Sequence, residues 1–399
     1  MNFISSRFLI AVLLCFLMIS GTVRGSDIID QPDRYVIIIS IDGFPADALW
    51  NIEVPIPFIR SMALNGAWAQ AMIPSNPTVT WPNHTSLVTG VHPEKHSLLF
   101  NAKILTPEKG RIPVSRDGRR DKADLVAVPT LYDIAYSAGL RTAEVNWPGT
   151  RNAPTLHDSF PDTPDNVTHI TPRLRNELIE LGLADAHVKM LVETLKEEGI
   201  YDQTTIFIVS DHGFINTEKT VLPNVILQNH NLQEVDEEGL FSGGRAQAQT
   251  LGGSAMIYLD NPEDEDLQQE IIRIFSETEG IYKVIEPADY PAYGLPLPKN
   301  NEQMGDLFIA AEYGYALNGS MRAHQSIVNT LEYGLTYGHH GFLTDHKQME
   351  TLFVAYGKGI KKGVVLDTVD NRSVAPTAAK LLGLDFDTAD GTILEEILK

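Results

Sequence analysis

The chain has 399 residues, of which 43% are hydrophobic, and its formal net charge is −21. This length allows one large domain or two smaller ones with a substantial core. A net charge this negative repels nucleic acid, so it excludes a protein that binds nucleic acid through its overall charge. It suits a protein that holds divalent cations wherever carboxylates converge.

Residues 1–25 are predicted to be a secretory signal peptide. Arg7 precedes an apolar run over residues 8–19, and residues 23–25 fit a cleavage site. The run is short for a membrane span, so an uncleaved anchor is the less favoured alternative and no stable membrane insertion is expected. The one cysteine, Cys15, lies in this segment, so residues 26–399 would contain no disulfide. We therefore expect a secreted or periplasmic protein.

Two short apolar segments, Tyr35–Ile41 and Thr204–Ser210, predict strands that are buried on both faces of a parallel sheet. Asp42 follows the first segment, and Asp211 and His212 follow the second. The carboxyl ends of parallel strands meet at one edge of a sheet, where ligands bind, so these side chains are expected to converge. Adjacent Asp and His suit zinc. Turn-forming acids and a structural histidine remain the alternatives.

Thr80 lies at a predicted helix start, between Pro77 and Pro82 and directly before residues 83–88. The N–H groups of a first helical turn favour an anion, so a phosphoryl group could bind against the Thr80 hydroxyl. Taken alone, this stretch favours an ordinary helix-capping threonine. The other motifs of the chain favour a catalytic nucleophile.

Between these motifs the pattern predicts a helix over 57–67, a helix over 128–139 and a strand over 140–145. Prolines exclude a regular element over 151–172, and the helical stretch 173–199 is expected to break near Gly182. The basic residues of 106–128 predict a surface loop. That loop either shapes the mouth of a site for an anionic substrate or is simply solvated.

Residues 215–320 show a different pattern, of short strands around an acidic helix, which predicts an inserted α+β subdomain. Strands are expected at Ser254–Leu259 and Asp306–Ala311 around an acidic helix, Glu263–Glu279. Further on, His339 and His340 stand between glycines in a loop. A strand over 350–356 and a helix over 375–382 follow.

Four motifs occur in a fixed order: Ile-Asp-Gly-Phe at 41–44, TVTWPNHTSLVTGVHPEKHSLLFN at 78–101, Ser-Asp-His-Gly at 210–213, and His-Gly at 340–341. Over residues 35–383 the chain resembles the nucleotide pyrophosphatase/phosphodiesterase family (type I phosphodiesterases) of the alkaline phosphatase superfamily. The resemblance implies an α/β fold with a doubly wound, mostly parallel sheet sandwiched by helices. Residues 215–320 would then be a small inserted subdomain that caps one side of the sheet.

The resemblance further implies a hydrolase that cleaves phosphodiester or pyrophosphate bonds of small nucleotide-like substrates through a covalent phospho-threonine. Thr80 would be the nucleophile, and Asn101 would donate a hydrogen bond to a phosphate oxygen. Two zinc ions are expected in the family. The first would be held by Asp42, Thr80, Asp211 and His212, and the second would include His340.

One departure from the family pattern concerns the second zinc, which also needs an Asp and, four residues later, a His at the end of an earlier strand. The segment 147–210 looks too short to contain that strand. Asp165 and His169 have the spacing, but the lead-in 157–163 is predicted not to be a strand. The alternative is a lost βα unit near Gly182, which would leave one zinc site. Asp185 and His187 are then expected to be solvated helix residues.

Three other functions are alternatives to the phosphodiesterase. A catalytically impaired relative that binds one metal and a phosphate ligand remains open because of the short segment. A phosphomonoesterase of the same superfamily also remains open, although its extra cations would have to come from Lys95, Lys103 or Arg151, which lie outside the motifs. A sulfatase is not favoured, because its modified Cys or Ser is replaced by Thr80.

Overall fold

The computed structural model describes residues 34–107, 111–113, 115–162 and 183–399. The predicted signal peptide and the pair Asp165 and His169 lie outside these residues. The strands are β1 (Tyr35–Ser40), β2 (Ala67–Ile73), β3 (Lys103–Leu105), β4 (Ser115–Asp117), β5 (Ala143–Pro148), β6 (Asp158–Asp162), β7 (Thr204–Val209), β8 (Ile215–Asn216), β9 (Lys219–Val221), β10 (Gln233–Val235), β11 (Phe241–Gly244), β12 (Ala246–Thr250), β13 (Ser254–Leu259), β14 (Ile281–Ile285), β15 (Leu307–Ala311), β16 (Tyr315–Leu317), β17 (Ile327–Asn329), β18 (Gly338–His339), β19 (Phe353–Gly357) and β20 (Val364–Asp370). The α-helices are α1 (Pro57–Leu64), α2 (Thr80–Thr89), α3 (Pro93–His96), α4 (Lys122–Leu125), α5 (Leu131–Ser137), α6 (Leu183–Glu197), α7 (Pro223–Asn229), α8 (Glu265–Ser276) and α9 (Val374–Leu382).

The main sheet has five strands in the order β1-β7-β19-β2-β20. The pairs β1–β7 and β2–β20 are parallel, whereas β19 is antiparallel to both of its neighbours. Four strands therefore point one way, which agrees with the mostly parallel sheet that was expected.

Alternation along β7 explains why helices cover both faces of this sheet. Ile206 and Ile208 pack into a cluster with α1 and α6, while Phe207 and Val209 pack into a cluster with α2, α5 and α9. All six residues of β7 are buried. The helix–sheet–helix sandwich confirms the predicted fold class.

Strand β1 is less buried than predicted. Its apolar residues also divide between the two clusters, but they are half-buried or exposed. Among the described residues β1 pairs only with β7, so it forms an edge of the sheet. The prediction of a strand was correct, and the prediction of full burial was wrong.

A second sheet lies within residues 215–320. Its four antiparallel strands have the order β12-β13-β15-β14. One face packs on α8. The other face, which carries Tyr258 and Phe308, packs against Val79 and Leu99. This sheet therefore supports the chain on either side of Thr80.

Residues 151–172, for which the prolines predict no regular element, contain a strand. Strand β6 pairs in parallel with β5, and it includes Pro161. Pro161 lies at an irregularity in the β5–β6 register, between the paired residues Phe160 and Asp162, which is where a strand tolerates proline. The expectation that 157–163 contains no strand was wrong.

Asp185 has a structural role that the sequence did not reveal. Its two carboxylate oxygens accept the backbone N–H groups of Phe58, at 3.2 Å, and Ile59, at 2.8 Å. These donors belong to the first turn of α1, whose N–H groups have no partner within the helix. Asp185 therefore caps α1 from another helix, and the prediction of a solvated residue was wrong.

Candidate metal centre

The register of two parallel strands brings the first two acids together. Tyr35 pairs with Thr204 and Ser40 with Val209. The Ile41 N–H continues the ladder by donating to the Val209 carbonyl at 2.9 Å. The same offset sets Asp42 beside Asp211, just past the ends of both strands. The convergence expected from the strand pattern is therefore present.

Asp42, Asp211 and His212 form a group whose ligand atoms all lie within 4.8 Å of one another. His212 Nε2 is 3.6 Å from Asp42 Oδ1 and 3.3 Å from Asp211 Oδ2. Asp211 and His212 are fully buried, while 61% of the Asp42 side chain is exposed. The group is thus reachable from solvent on the Asp42 side only.

Thr80 reaches this group from α2. It is the first residue of the helix, and Val79 is the N-cap. The Thr80 hydroxyl lies 3.2 Å from His212 Nε2. The cap position belongs to Val79, so the alternative of an ordinary helix cap does not describe this threonine.

Both site histidines present one ring nitrogen to the cluster. His212 Nδ1 lies 3.1 Å from the Gly213 carbonyl, and His340 Nδ1 lies 3.3 Å from the Thr78 carbonyl. A carbonyl oxygen only accepts, so each Nδ1 carries the hydrogen and each Nε2 keeps its lone pair. Metal-binding histidines are typically oriented by such outer contacts.

The electrostatics also favour a cation. Burial lowers the pKa of His212, and burial followed by the charge of His212 lowers the pKa of His340 to about 4, so both rings are neutral at pH 7. Desolvation and the like charge of Asp211 raise the pKa of Asp42 to about 6, although most of its side chain is exposed. A bound cation would relieve the repulsion between the two carboxylates.

These residues fit zinc at the first site. Asp211 Oδ2 is buried and has no hydrogen-bond partner in the described part of the chain, which is costly unless a cation or water satisfies it. Three oxygens and one imidazole nitrogen are a donor set that zinc accepts in tetrahedral geometry. Residues that would hold it are Asp42, Thr80, Asp211 and His212.

The second predicted site is less complete. The rings of His340 and His212 stack at 4.0 Å between centroids, with 16° between their planes. His340 therefore lies next to the first site, as its motif predicted. Within the described ranges the one group of three or more metal-type side chains is that of Asp42, Asp211 and His212, and His340 is not a member of it.

Asn101 contacts the segment that carries Thr80. Its side-chain oxygen accepts the Trp81 N–H at 2.9 Å. The amide nitrogen of Asn101 is therefore the group left to donate to a ligand, which agrees with the role that the resemblance implies for it.

Two site neighbours were missed from the sequence. His84, one turn after Thr80, lies 3.5 Å from Asp211 Oδ2. Asp162 accepts the Trp81 indole N–H at 3.3 Å, and its charge contributes to the raised pKa of Asp42. The spacing of Thr80 and His84 could have indicated the first, whereas the second depends on the unpredicted strand β6.

Three aromatic residues, Trp81, Trp147 and Phe44, could either stack a nucleotide base or pack in the core, and all three are packed in the protein. Trp81 is 6% exposed and packs against Leu98 and Leu125. Trp147 and Phe44 pack at the edges of the two main-sheet clusters. Their contacts favour the core alternative over a stacking role.

Comparison with known proteins gives the family. The family model described as "Type I phosphodiesterase / nucleotide pyrophosphatase" matches residues 36–178 and 160–343, which is most of the chain. The chain belongs to this family. The two matched segments overlap at 160–178, within the segment 147–210 that looks shortened. The type I phosphodiesterases are hydrolases, and every site motif discussed above lies within the matched residues.

Relatives agree with this assignment. Rat ectonucleotide pyrophosphatase/phosphodiesterase family member 7 is 23% identical over 432 residues, covering 96% of this chain and 91% of the relative. A bis(5'-adenosyl)-triphosphatase from Xenopus laevis is 22% identical and covers 97% and 85%. Human ectonucleotide pyrophosphatase/phosphodiesterase 5 has the same fold, with a TM-score of 0.67, 16% identity, and coverage of 92% and 100%. The murine form has been solved as an inactive variant in complex with AMP.

Proposed function

We propose that this protein is an exported, zinc-dependent phosphodiesterase or pyrophosphatase that acts on nucleotide-like substrates through a covalent phospho-threonine at Thr80. The observation that carries the proposal is the Thr80 hydroxyl, which lies at the start of α2 and 3.2 Å from His212 Nε2 in the acidic metal-type cluster. Membership of the type I phosphodiesterase family supports the reaction class. A complex of AMP with a murine relative supports the substrate class.

The residues of this chain would share the work as follows. The N-terminal N–H groups of α2 favour the negative phosphoryl group beside Thr80. The Thr80 oxygen attacks phosphorus, the ester or pyrophosphate oxygen leaves, and water later cleaves the phospho-threonine and restores the hydroxyl. The Asn101 amide donates to a phosphate oxygen as negative charge builds up. Zinc bound by the cluster would lower the pKa of the Thr80 hydroxyl, so no separate general base is required.

The cation distribution favours a diester over a monoester. A monoester carries an additional negative oxygen that calls for further cations. Lys95 forms an ion pair with Asp390, and Arg151 with Asp121. In the basic stretch 106–128, Arg111 pairs with Asp306 at 2.8 Å and Lys122 pairs with Asp133. These cations are occupied within the protein, which supports the diesterase.

A catalytically impaired relative is the second candidate, and the incomplete second site favours it. With one zinc the phosphate can still bind, but the leaving oxygen departs without a second cation and turnover falls. Export is proposed from the sequence alone. Among the described helices none is both long and apolar enough to cross a membrane.

The test combines metal analysis and hydrolysis on the purified chain. We expect bound zinc, and faster release of nitrophenolate from a nitrophenyl nucleotide diester than from nitrophenyl phosphate. Chelation should abolish the activity and added zinc should restore it. Bound zinc with no hydrolysis of either ester would support the impaired relative, and a preference for the monoester would contradict the diesterase.

A further inference from the structure

His84 is a buried side chain that the proposed reaction does not use. It is 6% exposed. Its Nδ1 lies 2.9 Å from the Thr80 carbonyl oxygen, one helical turn earlier. Because that oxygen can only accept, Nδ1 carries the hydrogen. This N–H also faces a second acceptor.

The same nitrogen faces the unsatisfied oxygen of Asp211. One carboxylate oxygen, Oδ1, accepts the Gly43 N–H at 3.0 Å and the Ser210 hydroxyl at 3.4 Å. The other, Oδ2, lies 3.5 Å from His84 Nδ1 and has no hydrogen-bond partner among the described residues. At that distance the contact is electrostatic and is weaker than a hydrogen bond. His84 Nδ1–H is thus shared between the backbone of Thr80 and the carboxylate of Asp211.

The ring of His84 is held in this position from the other side. The edge of Trp147 contacts it, with 4.9 Å between ring centroids and 82° between planes. Trp147 belongs to β5, whereas Asp211 follows β7 and Thr80 begins α2. The imidazole therefore joins three separate elements at one point beside the metal-type cluster.

We infer that His84 is a positioning residue, whose Nδ1–H fixes the Asp211 carboxylate relative to the first turn of α2. It thereby sets the metal ligands at the correct distance from the Thr80 hydroxyl. This inference rests on the proposed function, because it concerns the same zinc site. Loss of an outer contact of this kind typically weakens metal binding by about 10- to 100-fold.

Three substitutions separate the N–H from the bulk of the ring. In His84→Asn the side-chain amide nitrogen is as many bonds from Cα as Nδ1, so the donor is kept. In His84→Gln the nitrogen is one bond further out and corresponds to Nε2, so the Nδ1 donor is lost. In His84→Leu both nitrogens are absent and the apolar contact with Trp147 remains.

The main readout is zinc affinity, measured by competition with a chromophoric chelator. We expect His84→Asn to stay within about threefold of the wild type, and the Gln and Leu variants to bind zinc about 10- to 100-fold more weakly. In these two variants kcat should fall while KM changes little, since Thr80 and its metal ligands are misplaced and substrate contacts are kept. A zinc affinity equal to that of the wild type in all three variants would overturn the inference. So would an Asn variant as weak as the Leu variant, because packing of the ring would then be the cause.

His96→Gln is the matched control. His96 is a fully buried imidazole bonded to α2, through the Ser86 hydroxyl at 3.1 Å. Unlike His84, it forms no ion-pair contact with Asp211 among the described residues. This variant should keep the wild-type zinc affinity. If it binds zinc as weakly as His84→Leu, general damage to α2 is the explanation and the inference fails. A wild-type protein that binds no zinc would refute the proposed function itself, whereas unchanged His84 variants of an active zinc protein would refute only the role of His84.

Discussion

Thr80 is the residue on which the proposed chemistry depends, and its surroundings separate the two roles that the sequence left open. A capping threonine would stabilise the helix, whereas a nucleophile would not need to. Thr80 is the first residue inside α2 and its hydroxyl contacts His212 instead of a backbone N–H. Activity and stability should therefore respond differently to its removal.

We predict that Thr80→Ala lowers kcat by at least about a thousandfold, because covalent chemistry needs the hydroxyl. Its free energy of unfolding should stay within about 0.5 kcal/mol of the wild type, since no cap is lost. Thr80→Ser should keep measurable activity and form an acid-stable phosphoryl adduct. Steady-state kinetics and urea unfolding measure both effects. Near-normal turnover of the alanine variant would refute the nucleophile.

His96 should make the protein sensitive to acid. Its complete burial lowers the pKa of its ring from 6.5 to about 3 in the folded state. Between these values the unfolded chain binds a proton that the native chain does not, so stability falls as the pH falls. From pH 7 to pH 5 this one group should cost about 2 kcal/mol.

We predict that His96→Gln reduces the loss of unfolding free energy between pH 7 and pH 5 by about that amount. Urea unfolding at the two pH values measures it. His230→Gln is a suitable control, because that histidine caps its own helix by bonding to the Ile226 carbonyl and is not buried. An unchanged pH slope for His96→Gln would show that His96 does not stay neutral in the fold.

At the scale of elements, the loop that carries His340 depends on its neighbouring glycine. Gly341 has φ +85°, and a Cβ there would lie 1.8 Å from the Leu251 carbonyl oxygen. Because that atom is backbone, it cannot move aside alone. The Gly341 N–H also donates to the Thr78 carbonyl at 2.9 Å, the group that contacts His340. The glycine therefore allows the close approach that positions the histidine.

We predict that Gly341→Ala destabilises the protein by more than about 3 kcal/mol, the sum of an unfavourable φ and a backbone clash. Gly334→Ala is the matched control, since Gly334 has φ +76° but nothing within 4 Å of its added Cβ. That variant should lose only about 1–2 kcal/mol. Chemical unfolding compares the two, and equal losses would show that contact with Leu251 is unimportant.

At the scale of the whole molecule, the open question is how many metals the chain holds. The described residues supply a full set of ligands for one zinc and a single histidine for another. Catalytic zinc sites use three protein ligands, so a site with His340 alone would be weak.

We predict one tightly bound zinc per chain, with the same count and turnover in Asp165→Ala and His169→Ala. Elemental analysis after dialysis and hydrolysis of an activated diester provide the numbers. His187→Ala, which changes a half-buried histidine of α6 outside the metal-type cluster, serves as the control. Two tightly bound zincs, together with loss of activity in both variants, would show instead that these residues complete the second site.

Local patterns in the sequence were sufficient to predict the strands β1 and β7, the helix that begins at Thr80, and the convergence of Asp42 with Asp211. Each of these depends on a local pattern, and the carboxyl ends of adjacent parallel strands must meet at one sheet edge. The ordered motifs also indicated the family.

Contacts between elements that are distant in sequence could not be predicted and are visible in the folded chain alone. Strand β6 exists because β5 pairs with it, despite Pro161. Asp185 caps α1 across 126 residues, and His84 faces Asp211 from another element. The pairing of Asp185 with α1 and that of His84 with Asp211 are not indicated by spacing or composition. The polar groups of a helix end or a buried carboxylate are satisfied by whatever group the fold brings close. Local patterns therefore gave the positions of the ligands, and long-range packing gave the contacts that hold them in place.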